Sequence, residues 1–238
     1  MRMILQPAFV LHHRPYRETS VLLDLFTQEQ GRIALVAKGV RNQRSPLRAL
    51  LQLFTPLLVS WQGKGELMTL SSAEPNGLPM QLRGDCLLSG FYLNELLTRL
   101  LHKHDPHPAL YTIYQHTLIE LQGGVLQQKT LRVFEKKLLA ELGYGLQIEK
   151  VIAEKYYHFC PEQGLTECLE NATPLTRIFS GKHLLAIAAE QLESEELLRD
   201  AKRLMRLALG GLLGPKPLQC RSLFITAEKQ EIEIGIES

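Results

Sequence analysis

The stretch "TSVLLDLFTQEQGRIALVAK", residues 19–38, decides the fold class of the first part of the chain. Its first half is rich in residues that favour β-structure and is nearly continuous in apolar character, as a strand buried on both faces would be. "EQG" then predicts a turn in which Gly31 is free to take positive φ. "RIALVAK" alternates polar and apolar residues with a period of two. The stretch therefore predicts two successive strands joined by a tight turn.

Strand-like segments continue on both sides of this pair. "AFVLHHR" precedes it, and "TPLLVSWQ" and "LMTLSSAE" follow it, separated by the glycine-rich turn "GKGE". Between the third and fourth strands, "SPLRALLQ" predicts a short helix with Ser45 as N-cap and Pro46 in its first turn. Five short strands with a helix between the third and fourth is the order of an OB-fold barrel. SH3-like barrels also have five strands, but the position of the helix favours the OB fold.

The pattern changes to a helical period after the Pro/Gly-rich segment "EPNGLPM" (74–80). Helices are predicted in "DCLLSGFYLNELLTRLLHKH", "PALYTIYQHTLIELQGG", "KTLRVFEKKLLAELGYG", "GKHLLAIAAEQL" and "SEELLRDAKRLMRLALGGLLG". "KYYHFCPEQGLTECLE" predicts a β-hairpin around "PEQG". We therefore predict an α+β multidomain protein: an N-terminal OB-fold β-barrel that binds nucleic acid (1–79), followed by an all-helical domain (80–238) with a small β-hairpin insertion at about 152–172.

The composition limits the class of protein. The chain has 238 residues and is 45% hydrophobic, enough to bury one large core or two smaller ones. No apolar run approaches the roughly 18 residues that a membrane span needs. "MRMILQPAFVLHH" is interrupted by Pro7 and lacks the cleavage site of a secretory signal. The four cysteines are scattered and do not form a disulfide framework. We predict a soluble cytoplasmic protein with no membrane contact.

The net charge of +2 is unevenly distributed along the chain. Residues 1–80 hold nine Lys/Arg and five Asp/Glu, whereas residues 154–238 hold ten and thirteen. An OB fold binds oligonucleotides along strands 2 and 3 and their flanking loops, and this part of the chain carries the excess of positive charge. The alternative is an ordinary solvated loop. The predicted DNA-binding residues here are Arg14, Arg17, Arg32, Lys38, Arg41, Arg44, Arg48 and Lys64.

Single-strand binders combine such cations with exposed aromatic rings that stack on bases. Tyr16 and Trp61 are the candidates in this region, although Trp61 fits a core position equally well. A second basic constellation lies in "LRDAKRLMR", where steps of three and four residues place four cations on one helix face. It is either a second phosphate-contacting surface or a solvated face paired with neighbouring acids. Its members are Arg199, Lys202, Arg203 and Arg206.

The sequence contains no catalytic motif and no strong metal motif. Structural zinc sites need two close Cys/His pairs, and the chain offers only His158 with Cys160 and Cys168. The loop "HKHDPHP" (102–108) holds three histidines, His102, His104 and His107, but an exposed interhelical loop explains it more simply. A phosphate-binding loop, a nucleophile elbow and a metalloprotease motif are all absent from the sequence. We predict no metal, no cofactor and no enzymatic activity.

"AFVLHHRPYRETSVLLDLFTQEQGRIALVAKGVR" and "LQLFTPLLVSWQGKGELMTL" closely resemble the RecO family of bacterial recombination and repair mediators. "GFYLNELLTRLL", "LRVFEKKLLAELGYG" and "AKRLMRLALGGLLGPKPLQCRSLF" continue the resemblance. It implies an OB fold followed by a helical domain that binds single- and double-stranded DNA and anneals complementary strands. With RecR, such a protein helps to load RecA onto DNA coated by single-strand binding protein (SSB), which implies a nucleoid-associated location.

The resemblance also raises two questions about the second domain. Some family members carry a four-cysteine zinc module there, and this chain retains only Cys160 and Cys168 in the corresponding hairpin. The family recognises the acidic, Phe-ended C-terminal tail of SSB, which needs an apolar slot and a cation for the carboxylate. "LRVFEKKLLAELGYG" could supply both, with Arg132 as the first cation candidate and Lys136 as the second. The alternative for Arg132 is an internal pair with Glu135 or Glu149.

Two other classes of function remain open from the sequence alone. One is an OB-fold protein that binds structured RNA, such as a ribosome or tRNA factor. The other is a scaffold whose barrel binds only proteins.

Overall fold

The computed structural model describes residues 2–65, 67–124, 127–172 and 174–220. It forms two compact units. Of the described residues, the first unit contains those from 2 to 124 and from 218 to 220, and the second contains those from 127 to 217. The boundary predicted at residue 79 lies inside the first unit.

The first unit contains a closed five-stranded barrel with the strand order β1-β2-β3-β5-β4. All neighbouring strands are antiparallel except β3 and β5, which pair in parallel and close the barrel. This is the OB-like barrel that the sequence predicts. Its elements are β1 (Arg2–Tyr16), β2 (Ser20–Thr27), β3 (Gly31–Ala37), α1 (Pro46–Leu50), β4 (Leu57–Gln62) and β5 (Met68–Pro75).

The β2–β3 pair shows why the opening stretch of sequence decides this fold. Leu23 and Leu25 of β2 and Ile33 and Leu35 of β3 alternate with outward-facing residues and are almost fully buried in the barrel core. The register pairs Leu25 with Ile33 and Leu23 with Leu35, so the four side chains lie on one face. Trp61 of β4 belongs to the same core and is 3% exposed.

Two helices, α2 (Gly84–Leu100) and α3 (Pro108–Gln122), belong to the barrel's compact unit. Phe9 and Phe26 point outward from the barrel and meet the rings of Tyr111 and Tyr114, with centroids 5.3–6.2 Å apart. Burial raises the pKa of the Tyr114 hydroxyl, which donates a 2.6 Å hydrogen bond to Asn94 Oδ1. The outward Phe26 explains why β2 is apolar on both faces.

In its described residues, the second unit combines three helices with a small three-stranded sheet in the order β7-β6-β8. The β6–β7 hairpin is the predicted one, whereas β8 was missed because a three-residue strand carries too little periodicity. Ser194 caps the helix that begins at Glu195, its hydroxyl accepting from the Leu197 amide at 3.2 Å. The elements are α4 (Gln127–Glu141), β6 (Tyr156–Cys160), β7 (Gly164–Cys168), a 3-10 turn (Leu175–Arg177), β8 (Ile178–Ser180), α5 (Gly181–Ala188) and α6 (Glu195–Leu213).

Among the helices of the described residues, none has both the length and the apolar character needed to cross a membrane.

Candidate nucleic-acid interface

The strand register brings two basic loops to one end of the barrel. Pro15 of β1 pairs with Val21 of β2, and Val21 pairs with Ala37 of β3. The β1–β2 hairpin and the segment that follows β3 therefore leave the sheet side by side. Five predicted DNA-binding residues lie in or next to these two segments, and we call them the hairpin-end cluster: Arg14, Arg17, Lys38, Arg41 and Arg44.

Arg41 fastens the segment after β3 onto the β1–β2 hairpin. Its Nη1 donates hydrogen bonds of 3.0 Å to the carbonyl oxygens of both Arg17 and Glu18. Its backbone amide donates to the Thr19 carbonyl oxygen at 2.9 Å. One residue thus joins two loops that are more than 20 positions apart in sequence. The cluster is a structured surface because this residue holds its two halves together.

The charges of the hairpin-end cluster are not neutralised by carboxylates. All five side chains are exposed. Within the described part of the chain, no Asp or Glu forms an ion pair with any of them. Cations gathered without counter-charges create a positive potential that attracts polyanions. This is the charge arrangement that a phosphate backbone requires.

The two aromatic candidates differ in their availability for stacking on bases. Trp61 is buried in the barrel core, so its ring is not exposed to a ligand. Tyr16 is half-buried at the hairpin end, and the guanidinium carbon of Arg17 lies 5.3 Å from its ring centroid. Arg17 has φ +52°, a left-handed conformation in the tight turn that places its side chain back over the ring. Tyr16 is therefore the aromatic ring associated with the cluster.

Arg32 has a different environment from the cluster, although the sequence groups it with them. Its Nε and Nη2 form a two-pronged ion pair with the Asp24 carboxylate at 2.9 and 2.7 Å. Its Nη1 donates to the carbonyl oxygen of Leu101 at 3.2 Å. Arg32 thus links β2 and β3 to the connection from α2 to α3. Its charge is already compensated.

The outer face of the β2–β3 pair is consequently open over only half of its length. At the Gly31 end, Phe26 is covered by α3 and Arg32 by the α2–α3 connection. At the hairpin end, Leu22 and Val36 face outward and are only half-buried. A nucleic acid on this face would therefore lie next to the hairpin-end cluster.

The other two predicted residues of the barrel lie outside the cluster. Arg48 is exposed on the short helix α1. Lys64 lies in the β4–β5 turn, and the pairing of Arg2 with Gln62 places that turn at the opposite end of β1 from the β1–β2 hairpin. The β4–β5 loop is nonetheless one of the two loops that OB folds use to bind oligonucleotides.

Comparison with known proteins agrees with this architecture. The family model "Recombination protein O N terminal" matches residues 1–78, and "Recombination protein O C terminal" matches residues 83–219. A DNA repair protein RecO of Coxiella burnetii is 46% identical over 230 residues, which are 93% of this chain and 98% of that relative. The corresponding proteins of Nitrosococcus oceani and Haemophilus influenzae are 46% and 43% identical, covering 94% of this chain and 93% and 97% of the relatives.

The chain belongs to the RecO family. Its role is accordingly in DNA repair and recombination, and the resemblance in the sequence is confirmed. The two family models meet between residues 78 and 83, where the sequence pattern changes from strands to helices. The compact units divide at another place, because α2 and α3 belong to the unit that contains the barrel.

The four cations of the second basic constellation of this RecO family member differ in how far they are exposed. Arg199, Lys202 and Arg206 are exposed on α6. Arg203 instead stacks over Phe179, with its guanidinium carbon 4.3 Å from the ring centroid, and donates to the Ile178 carbonyl oxygen at 2.7 Å. It also pairs with Asp200 at 3.0 Å. Arg203 therefore joins α6 to the small sheet.

The two residues predicted to bind the SSB tail are both already paired. Arg132 is 7% exposed, and its Nη2 lies 2.8 Å from Oε1 of Glu135, one turn along α4. This is the internal pair that the sequence left open as an alternative. Lys136 contacts Glu190 at 2.7 Å and donates to the Ala188 carbonyl oxygen at 2.7 Å. A tail carboxylate would have to compete with these intramolecular partners.

A cleft of about 520 Å³ lies in the second unit, between the end of α4, the β6–β7 turn and the end of α6. Its walls include Leu139, Tyr144 and Phe159, which provide an apolar surface. Glu162 is the charged residue in its lining, and the Cys160 thiol, which donates to that carboxylate at 2.7 Å, lowers the pKa of Glu162. The cleft offers an apolar slot but carries the wrong charge for an acidic tail.

The cysteines of the hairpin are placed at opposite ends of it. Cys160 pairs with Gly164 beside the turn, whereas Cys168 pairs with Tyr156 at the far end. Four residues of strand separate the two positions, which is about 13 Å. One metal ion could not be reached by both thiolates in this hairpin. The described residues contain no group of three or more His, Cys, Asp or Glu suited to a metal ion.

Proposed function

We propose that this RecO family member is a DNA-binding recombination mediator without catalytic activity, and that the hairpin-end cluster is its principal DNA contact. The observation that carries the proposal is a set of five exposed cations, held together by Arg41, with no carboxylate partner in the described residues. Single- and double-stranded DNA share the phosphate backbone that such a set recognises. Arg48, Lys64 and the α6 residues Arg199, Lys202 and Arg206 are secondary contacts.

Neutralised phosphates give the protein a physical route to strand annealing. Two complementary strands repel each other. Protein cations that bind the phosphates displace the counterions condensed on the DNA and reduce this repulsion. Base pairing then supplies the free energy, so the protein needs no nucleophile and no acid–base group. In the cell, such a protein would work in the nucleoid, with RecR, to help load RecA onto DNA coated by SSB. Lys136 and Arg132 would contact the SSB tail only if their present partners were released.

The proposal is tested by reversing two cluster charges whose side chains form no hydrogen bond or ion pair within the described residues. Lys38→Glu with Arg44→Glu is compared with Lys150→Glu with Lys182→Glu, two exposed lysines of the second unit. Both variants change the net charge equally. Anisotropy titrations at several salt concentrations should show a slope lower by about 1.4 for single strands in the cluster variant, at about 0.7 per lost phosphate contact. The control variant should retain the wild-type slope.

A parallel titration with RNA of the same sequence separates DNA binding from RNA binding. Tighter binding of RNA that depends on the cluster would favour a structured-RNA factor, and binding of neither nucleic acid at low salt would favour a protein scaffold. Annealing of complementary labelled strands supplies the functional readout. We expect the wild type and the control variant to accelerate annealing, and the cluster variant to lose this acceleration.

A further inference from the structure

The connection between α2 and α3, residues 101–107, lies on the barrel as a fixed element. The His104 amide donates to the Arg32 carbonyl oxygen at 2.9 Å, and Arg32 reaches back to the Leu101 carbonyl oxygen. A β-bridge pairs Arg32 with Lys103 in parallel. Gly31 is pressed so closely against the connection that an added Cβ would lie 1.8 Å from the Asp105 carbonyl oxygen.

This connection lies along the edge of β3 that also pairs with β5. One edge of β3 pairs with β2, so Lys103 must lie along the other edge, which β5 joins three residues further on at Leu35 and Met68. The β4–β5 turn precedes Met68 directly. Lys103 is thus on the side of the barrel where an OB fold uses its β4–β5 loop to bind oligonucleotides, and where this chain also has Lys64.

Lys103 has the properties of a phosphate contact. Its side chain is exposed, and no Asp or Glu of the described residues forms an ion pair with it. The nearest acid along the connection, Asp105, instead lies 3.5 Å from His107 Nε2. Along β3, six residues separate the Arg32 position from Lys38, which corresponds to about 20 Å. Lys103 and the hairpin-end cluster therefore lie at the two ends of the β2–β3 pair.

We propose that the α2–α3 connection is a second nucleic-acid contact of the barrel, with Lys103 as its phosphate ligand and Arg32 as the positioning residue that holds it. This inference rests on the proposed DNA-binding function. It assigns Arg32 to the interface without direct contact with DNA. It also extends the interface to an element that belongs, by sequence, to the helical part of the chain.

The test uses Lys103→Gln in the full chain, with Lys103→Arg as the charge-conserving variant and Lys150→Gln as the matched loss of one exposed lysine. Lys103→Gln and Lys150→Gln each remove one positive charge, whereas Lys103→Arg removes none. We expect Lys103→Gln to lower the salt slope for a 16-nucleotide single strand by about 0.7. Lys103→Arg and Lys150→Gln should keep the wild-type slope.

Arg32→Lys tests the positioning role, because it keeps a positive charge and loses the two-pronged contact with Asp24. Arg32→Lys should weaken DNA binding in the wild-type chain and have no further effect in the Lys103→Gln chain. An equal effect of Arg32→Lys in both backgrounds would overturn the positioning role. An unchanged slope in Lys103→Gln, while the Lys38→Glu, Arg44→Glu variant loses binding, would overturn this inference alone. Failure of the wild type to bind DNA would overturn the proposed function and the inference with it.

Discussion

The two halves of the outer β2–β3 face use arginine in opposite ways. At the Gly31 end, Arg32 is bound by a carboxylate and a carbonyl and helps to close the face with the α2–α3 connection. At the hairpin end, Arg41 donates to two carbonyl oxygens and has no carboxylate partner among the described residues, so it organises two loops without losing its charge. The partner of an arginine therefore decides whether it stabilises the fold or attracts a ligand. A count of charges in the sequence cannot make this distinction.

The largest expected effect is a loss of stability when the covered half of the outer β2–β3 face, at the Gly31 end, is disturbed. Gly31→Ala adds a Cβ that would lie 1.8 Å from the Asp105 carbonyl oxygen, in a backbone conformation of φ +63°. We expect the free energy of unfolding to fall by about 3 kcal/mol or more, since steric conflict adds to the cost of positive φ. For a chain of this size, that corresponds to a melting temperature lower by roughly 6–12 °C. A thermal melt followed by circular dichroism measures it.

Gly39→Ala is the matched control for this substitution. Gly39 also has positive φ, +70°, but the nearest atom to an added Cβ is the Asn42 side-chain nitrogen at 3.6 Å. Only the conformational cost of about 1–2 kcal/mol should then appear. Equal destabilisation by the two alanines would show that the connection does not press against Gly31.

Removing the carboxylate of the covered half should separate stability from affinity. Asp24→Asn leaves the Arg32 guanidinium, whose side chain is 17% exposed, without its charged partner. We expect unfolding to become easier by about 1–3 kcal/mol. Because Arg32 keeps its contact with the Leu101 carbonyl oxygen, Lys103 should stay in place, and DNA affinity should rise slightly as one negative charge leaves the outer face. Denaturant unfolding and DNA titration measure the two effects, and Glu18→Gln, an exposed acid beside the cluster, should raise affinity without changing stability.

The sequence predicts the local features of this molecule and not the long-range ones. Alternation in "RIALVAK" and the helical period after residue 80 yield the barrel strands and the helices, because both signals lie within a few neighbouring residues. The excess of positive charge in the barrel also follows from the sequence. The partner of Arg32 at Leu101, 69 positions away, does not. Nor does the inclusion of α2 and α3 in the compact unit of the barrel, which depends on outward-facing rings such as Phe26.

The smallest expected effect tests whether the open half depends on loop order as well as on charge. Arg41→Lys keeps the positive charge but replaces the planar guanidinium with a shorter, more strongly hydrated ammonium group. If the contacts with the Arg17 and Glu18 carbonyl oxygens are weakened, the two loops must be ordered when DNA binds. The loss of one net hydrogen bond, about 0.5–1.5 kcal/mol, corresponds to roughly a two- to tenfold weaker affinity.

Arg44→Lys is the matched control, because Arg44 is exposed in the same segment and keeps its charge in the same way. The Arg44→Lys variant should bind DNA with the wild-type affinity. Both lysine variants should keep the wild-type salt slope, since the number of cations is unchanged. A difference in affinity without a difference in slope would isolate the ordering of the loops. Identical affinities for Arg41→Lys and Arg44→Lys would mean that charge alone accounts for binding at the hairpin end, and that the contacts of Arg41 with the two carbonyl oxygens contribute only to the folded loop.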